Sequence, residues 1–172
     1  MALDLVDKGV VTDQLTLTVC YDTENLSGSY SGVIERDFYG RRAPKQAHGS
    51  VNLERFSSSS RLLRGKAVQL YEQITDPSLT IRRVYIGANH LISEEEARQQ
   101  RPAEQLDFFS DPLSQAEEQA QEDAALEKEQ ALQRATLLLK KKFGKNSILK
   151  AMNLQESGTT IERNGQVGGH KA

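Results

Sequence analysis

The 172-residue chain carries 22 Lys and Arg against 24 Asp and Glu, with 37% hydrophobic residues and one cysteine. That is room for one ordinary domain with appended tails, because so small an apolar share cannot place every residue around one core. Cys20 alone excludes an internal disulfide, and His48, His90 and His170 lack the paired spacing of a zinc site. No apolar run approaches the roughly 20 residues of a spanning helix, and residues 1–10 lack the basic start of a secretory leader. A cytoplasmic protein without a membrane partner is the expectation. The small net charge hides three regions: 11 bases against 10 acids over residues 1–92, 3 against 12 over 93–130, and 8 against 2 over 131–172. An acidic connector therefore separates two parts, and local fields matter more than the total.

In chain order, Leu3, Leu5 and Val6 closed by Gly9 predict the end of a short helix. Leu15 to Tyr21 alternates strictly, which predicts a half-buried strand with Leu15, Leu17, Val19 and Tyr21 inward and Thr16, Thr18 and Cys20 outward. Residues 22–49 read as a long glycine-punctuated connection with one ragged strand near Val33 to Phe38. A strand over Ser50 to Phe56 turns Val51 and Leu53 inward. The serines at 57–60 supply caps for a helix whose stripe is Leu63, Ala67, Leu70, Tyr71 and Ile74, stopped by Asp76-Pro77. Leu79 to Leu91 predicts a further strand, with Val84 and Ile86 inward and Arg83 and Tyr85 outward.

These elements predict an α+β domain over residues 1–92, an antiparallel or mixed sheet with helices on one face only. The other face then stays wet and carries Thr16, Thr18, Arg83 and Tyr85. Hydroxyls and a guanidinium there suit a phosphate backbone; the alternative is that they merely solvate an exposed sheet. Residues 93–113 read as an acidic linker. Ser114 with Glu117 reads as a capping box opening a charged helix over 114–143, whose apolar seam is only Leu132, Ala135, Leu139 and Phe143. Residues 144–172 read as a basic flexible tail.

A search for chemistry finds no nucleophile elbow, P-loop, dinucleotide fingerprint or HExxH spacing. The acids of the first region, such as Asp13, Asp22 and Asp76, fall at strand ends and turns, where they are poorly placed to hold divalent ions for phosphoryl transfer. His48 beside Gly49 reads as a structural loop histidine. The apolar island Gln105-Leu106-Asp107-Phe108-Phe109 is different, since an exposed Leu-x-Phe-Phe in an acidic stretch costs solubility. It either docks on a partner, with Leu106 and Phe109 as anchors and Gln105 orienting them, or folds back onto the sheet domain.

Gln105 to Phe109 resembles the pentapeptide Gln-Leu-x-Leu-Phe by which bacterial polymerases and repair proteins bind the ring-shaped sliding clamp, with Phe108 in place of the commoner Leu. Met1-Ala2-Leu3-Asp4-Leu5-Val6-Asp7-Lys8-Gly9, Tyr39-Gly40-Arg41-Arg42-Ala43-Pro44-Lys45-Gln46-Ala47-His48-Gly49, Lys141-Lys142-Phe143-Gly144-Lys145-Asn146-Ser147-Ile148-Leu149-Lys150 and the closing residues 163–172 together resemble the UmuC/DinB-like Y-family translesion polymerases of Gram-positive bacteria. The resemblance spans essentially the whole chain. It implies that residues 1–92 are most of a little finger domain, which positions duplex DNA through phosphate contacts without reading its sequence. Thr16, Thr18, Arg82 and Arg83 are the carried-over contact candidates; Arg41, Arg42, Lys45 and His48 belong to a motif similar to the family's loop, where they either touch DNA, as Arg41, Arg42 and Lys45 are expected to, or fix the loop. It also implies that the palm, fingers and thumb, with the Mg2+-binding carboxylates, would precede Met1, so this chain needs no cofactor and is not itself an enzyme. The expected partners are duplex DNA, a sliding clamp and the missing polymerase core. The alternative is an adaptor that docks on the clamp through Gln105–Phe109 and the charged helix.

Overall fold

The alternation at Leu15, Leu17, Val19 and Tyr21 becomes the inner row of a long strand, β1(Val10–Tyr21), in which Leu15 and Val19 are completely shielded from solvent. In the computed structural model, which describes residues 1–28, 30–36, 40–100, 112–167 and 170–171, this strand is the centre of the fold. β4(Ala47–Ser57) pairs antiparallel with one side of it and β5(Ile81–Asn89) with the other. A two-residue strand, β6(Ile92–Ser93), pairs with Val10 and Val11 at its start. The fold is α+β, and among the described residues every strand pair is antiparallel.

Helices cover one face. α1(Ala2–Lys8) ends, as its sequence predicts, on Gly9, whose φ of 65° places it in the left-handed region that costs glycine nothing. α2(Ser60–Ile74) begins where Ser59 accepts the Leu62 backbone N–H at 3.3 Å. Its stripe, apart from the exposed Tyr71, divides between two apolar clusters. Leu63 joins Leu5, Leu15 and Leu53, while Leu70 joins Leu17, Val19 and Tyr21, with Ala67 and Ile74 packed alongside. Each fully buried leucine contributes about 1.5–3 kcal/mol to this packing. Gly49, expected within a loop, instead lies in β4 beneath α2. A β-carbon there would stand 3.0 Å from Leu70 Cδ1 and 3.1 Å from Ile74 Cγ2, so the helix approaches because the backbone is bare.

Val84 and Ile86 depart from expectation. They sit opposite Val19 and Leu17 on the helix-bearing side, yet are 49% and 44% exposed. The cause is coverage: α2 lies over β4 and β1, and α1 has only seven residues, leaving the apolar row of β5 open. Among the described residues, β5 pairs only with β1, so its outer edge is an unpaired strand edge.

The long connection holds more structure than its glycines suggest. Asp22 caps a 3-10 turn at Thr23–Ser27 by accepting the Glu24 N–H at 3.0 Å. β2(Ile34–Arg36) and β3(Arg42–Pro44) then form a small antiparallel ribbon. Past residue 92, the stretch read as linker contains α3(Glu94–Gln99), because Ser93 and Glu96 make a reciprocal capping box that satisfies two backbone N–H groups.

The chain divides into a unit Met1–Leu106, described so far, and a unit Asp107–Ala172. The second holds α4(Pro112–Phe143), which starts two residues before the expected Ser114; proline suits a first helical turn, where no intrahelical partner awaits its missing N–H. The stretch read as a flexible tail contains a 3-10 turn at Ala151–Leu154, α5(Thr160–Asn164), and a pair of two-residue strands, β7(Gln166–Val167) and β8(His170–Lys171). Asn164 Nδ2 donates to Asn146 Oδ1 at 2.6 Å, and Lys140 Nζ to the Lys145 carbonyl at 2.8 Å. Among the described residues no helix is long and apolar enough to cross a membrane.

Candidate nucleic-acid interface

A period of two puts every second residue of β1 on the sheet face opposite α2, and the antiparallel register aligns like positions of its neighbours. Gln14 lies between Asn52 and Asn89, Thr16 between Ser50 and Gly87, and Thr18 between His48 and Tyr85, while Cys20 faces Arg83. None of these is a carboxylate. The rows are tied across strands: Gln14 Nε2 donates to Asn52 Oδ1 at 2.9 Å, and Asn89 Nδ2 donates to Gln14 Oε1 at 3.0 Å. Thr18 Oγ1 and His48 Nδ1 are 2.8 Å apart, which places His48 on this strand face rather than in the loop its glycine neighbour suggested.

Backbone irregularities bound the face at both ends. Between Thr12 and Gln14 the β1–β4 register slips, and the fully buried Thr12 bridges the slip by donating to the Asn89 carbonyl and accepting the Gln14 N–H. At the other end the β1–β5 register slips between Cys20 and Tyr21, opposite Arg82. Such a bulge places two residues against one, and here Arg82 and Arg83 both reach the same cleft instead of pointing to opposite faces.

That cleft, about 330 Å³, lies between the β2–β3 ribbon and the end of the open face. Arg36, Arg41, Arg82 and Arg83 line it with Tyr85 and Cys20. Among the described lining residues the one carboxylate, Glu35, has Lys45 Nζ at 3.9 Å. Arg83 Nη1 donates to Tyr85 Oη at 2.7 Å, and its guanidinium carbon stands 5.7 Å from the Tyr85 ring centre.

The structure therefore divides the candidates. Thr16 and Thr18 lie on the open face, and Arg41, Arg82 and Arg83 come together in the cleft. Arg42 is exposed on β3 outside the cleft lining, and Lys45 turns to Glu35 while its backbone N–H donates to the Val33 carbonyl at 2.8 Å. Arg36 was missed as a site residue; its signal was its place two residues past Ile34, opposite Arg42 in the ribbon. Gln14, Asn52, Ser50 and Asn89 were missed because their face follows from register, which no single strand's pattern reveals. The pentapeptide Gln105, Leu106, Asp107, Phe108 and Phe109 lies outside the described residues.

Asp13, Asp22 and Asp76 are occupied with local structure. Asp13 Oδ1 lies 2.9 Å from His90 Nδ1. Asp22 has its carboxyl held below the usual range chiefly by the Glu24 backbone N–H, and Asp76 by the Ser78 hydroxyl and N–H, at 2.6 and 2.9 Å. Among the described residues no three His, Cys, Asp or Glu side chains are grouped to hold a metal ion. No protein-family model, curated protein or solved structure matches this chain.

Proposed function

We propose that residues 1–92 hold duplex DNA against the open sheet face without reading its sequence, and that Gln105–Phe109 tethers them to a ring-shaped sliding clamp. This is the role of the DNA-holding end of a Y-family translesion polymerase, and in this reading phosphoryl transfer belongs to a palm outside this chain. The observation that carries the proposal is the row of hydroxyl and amide side chains along Gln14, Thr16 and Thr18 and their strand partners, none of them a carboxylate, ending at four cleft arginines. A face shaped only for solubility intersperses both charges, whereas this one offers hydroxyls, amides and guanidinium groups, the donors that fit phosphate oxygens. The clamp tether rests on the sequence resemblance of the pentapeptide. The test is the affinity for a short DNA duplex over a range of salt. Phosphate contacts make it fall steeply as salt rises, and an affinity indifferent to salt removes the reading.

One observation favours the adaptor reading beside it. Leu132, Leu139 and Phe143 recur along one stripe of α4 and are 68%, 42% and 63% exposed, an apolar seam suited to a partner helix. In that reading the charged helix shares the clamp contact with the pentapeptide.

A further inference from the structure

The cleft at the end of the open face differs from the face itself in shape. A duplex lying across the flat sheet can bring its backbone phosphates to these arginines from outside, but it is too wide to enter a 330 Å³ recess between a two-stranded ribbon and two sheet strands. That volume is at the lower end of what small-ligand sites enclose, about 300–1,000 Å³. Its chemistry is also two-sided. Guanidinium groups of Arg36, Arg41 and Arg82 supply positive charge, and Glu35, the one acid among the described lining residues, has Lys45 beside it. Against them, among the described lining residues, stands one half-exposed aromatic ring, Tyr85, whose hydroxyl is oriented by Arg83. A ring on an exposed edge strand held by an arginine is a stacking platform, and arginines around it are phosphate ligands.

We propose that this cleft binds one unpaired nucleotide of a nucleic-acid strand, its phosphate among Arg36, Arg41 and Arg82 and its base stacked on Tyr85. The proposal rests on the DNA-holding reading for its polymer, and adds to it a site for the single strand where a duplex ends or a base is displaced. Stacking tolerates any base, so the site is indifferent to sequence.

Cys20 lines the same cleft and is the only cysteine of the chain, so its thiol reports occupancy. The experiment follows the rate of Cys20 modification by a disulfide reagent in the full chain, with thymidine 5′-monophosphate, thymidine, inorganic phosphate or a short single strand added. The nucleotide and the single strand are expected to slow modification, thymidine to have no effect, and phosphate to protect more weakly than the nucleotide. Tyr85→Ala should weaken protection by the nucleotide about tenfold, whereas Tyr85→Phe, which keeps the ring, should retain it. No protection by the nucleotide overturns the proposal. So does equal protection by phosphate with no effect of Tyr85→Ala, which would leave an anion site only. Duplex affinity of the same preparations separates the two readings: duplex binding without nucleotide protection removes the cleft proposal alone, and protection without duplex binding removes the DNA-holding reading alone.

Discussion

Arg83 and Tyr85 stand two residues apart on the open side of β5, the Arg83 guanidinium donating to the Tyr85 hydroxyl at 2.7 Å. That bond holds a flexible cation and an aromatic ring in one place beside the cleft, while the bulge next to them brings Arg82 to the same place. The basic side chains of this unit are therefore unequal. Arg82→Ala and Arg83→Ala should each weaken duplex binding evenly across sequences and lower the salt slope by about 0.9. Arg42→Ala and Lys45→Ala, outside the cleft lining, should change it little. Fluorescence anisotropy of a labelled duplex with the four variants distinguishes them; equal losses in all four would mean that charge alone, not this geometry, governs binding.

Tyr21 is the one buried tyrosine of the inner row, and its hydroxyl oxygen accepts the Asp76 backbone N–H at 2.9 Å, tying the end of β1 to the turn after α2. Tyr21→Phe keeps the ring and removes the acceptor. It should lower the unfolding free energy by about 1–2 kcal/mol, read from the shift of the urea midpoint at unchanged slope. An unaltered midpoint would show that water replaces the phenol there.

Acid should loosen the turns before it melts the sheet. The carboxyls of Asp22, Asp76 and Glu96 are each held below their usual range by local hydrogen bonds, so the unfolded chain takes up protons at higher pH than the folded one. Their contributions are fully present above the ordinary carboxylate range and are lost as pH falls through the lowered folded values. Urea midpoints measured from neutral pH downward should therefore drop below about pH 4, and Asp76→Asn should flatten that drop. A variant with the wild-type pH dependence would remove Asp76 from the account.

Replacing Leu106, Phe108 and Phe109 together with alanine should abolish capture of the chain by an immobilised bacterial sliding clamp, while leaving its circular dichroism unchanged. In the proposed tether Leu106 and Phe109 are the apolar anchors, with Phe108 between them. Undiminished capture would sink the tether, and would turn attention to the Leu132–Phe143 stripe of α4.

Much of the sheet domain was legible because its strongest patterns were local. The period of two from Leu15 to Tyr21 and the stripe of α2 each specify a buried face without reference to the rest of the chain. What escaped was set between elements. Gly49 looks like a turn until a helix lies on it, and Val84 and Ile86 look like core until α2 is seen to cover the other two strands. Ser93 and Glu96 already carried a capping signal, obscured by three consecutive glutamates that read as linker. In the candidate site, Thr16, Thr18 and Arg83 were legible from one strand apiece. Their grouping with His48 and Arg36 depends on register and on two bulges, which composition and periodicity do not encode.

In the proposed binding mode the face bearing Thr18 meets DNA phosphates, so a carboxylate placed at its middle opposes binding. Thr18 is flanked by His48 and Tyr85 and is partly exposed, so Thr18→Glu can be accommodated without disturbing the buried row beneath. Duplex affinity is measured for wild type and variant from low to moderate salt, with circular dichroism confirming the fold. The account predicts salt-sensitive binding by the wild type and at least a tenfold loss in the folded variant at low salt, since a like charge would face the phosphates. A folded Thr18→Glu protein that binds duplex as tightly as wild type would contradict it.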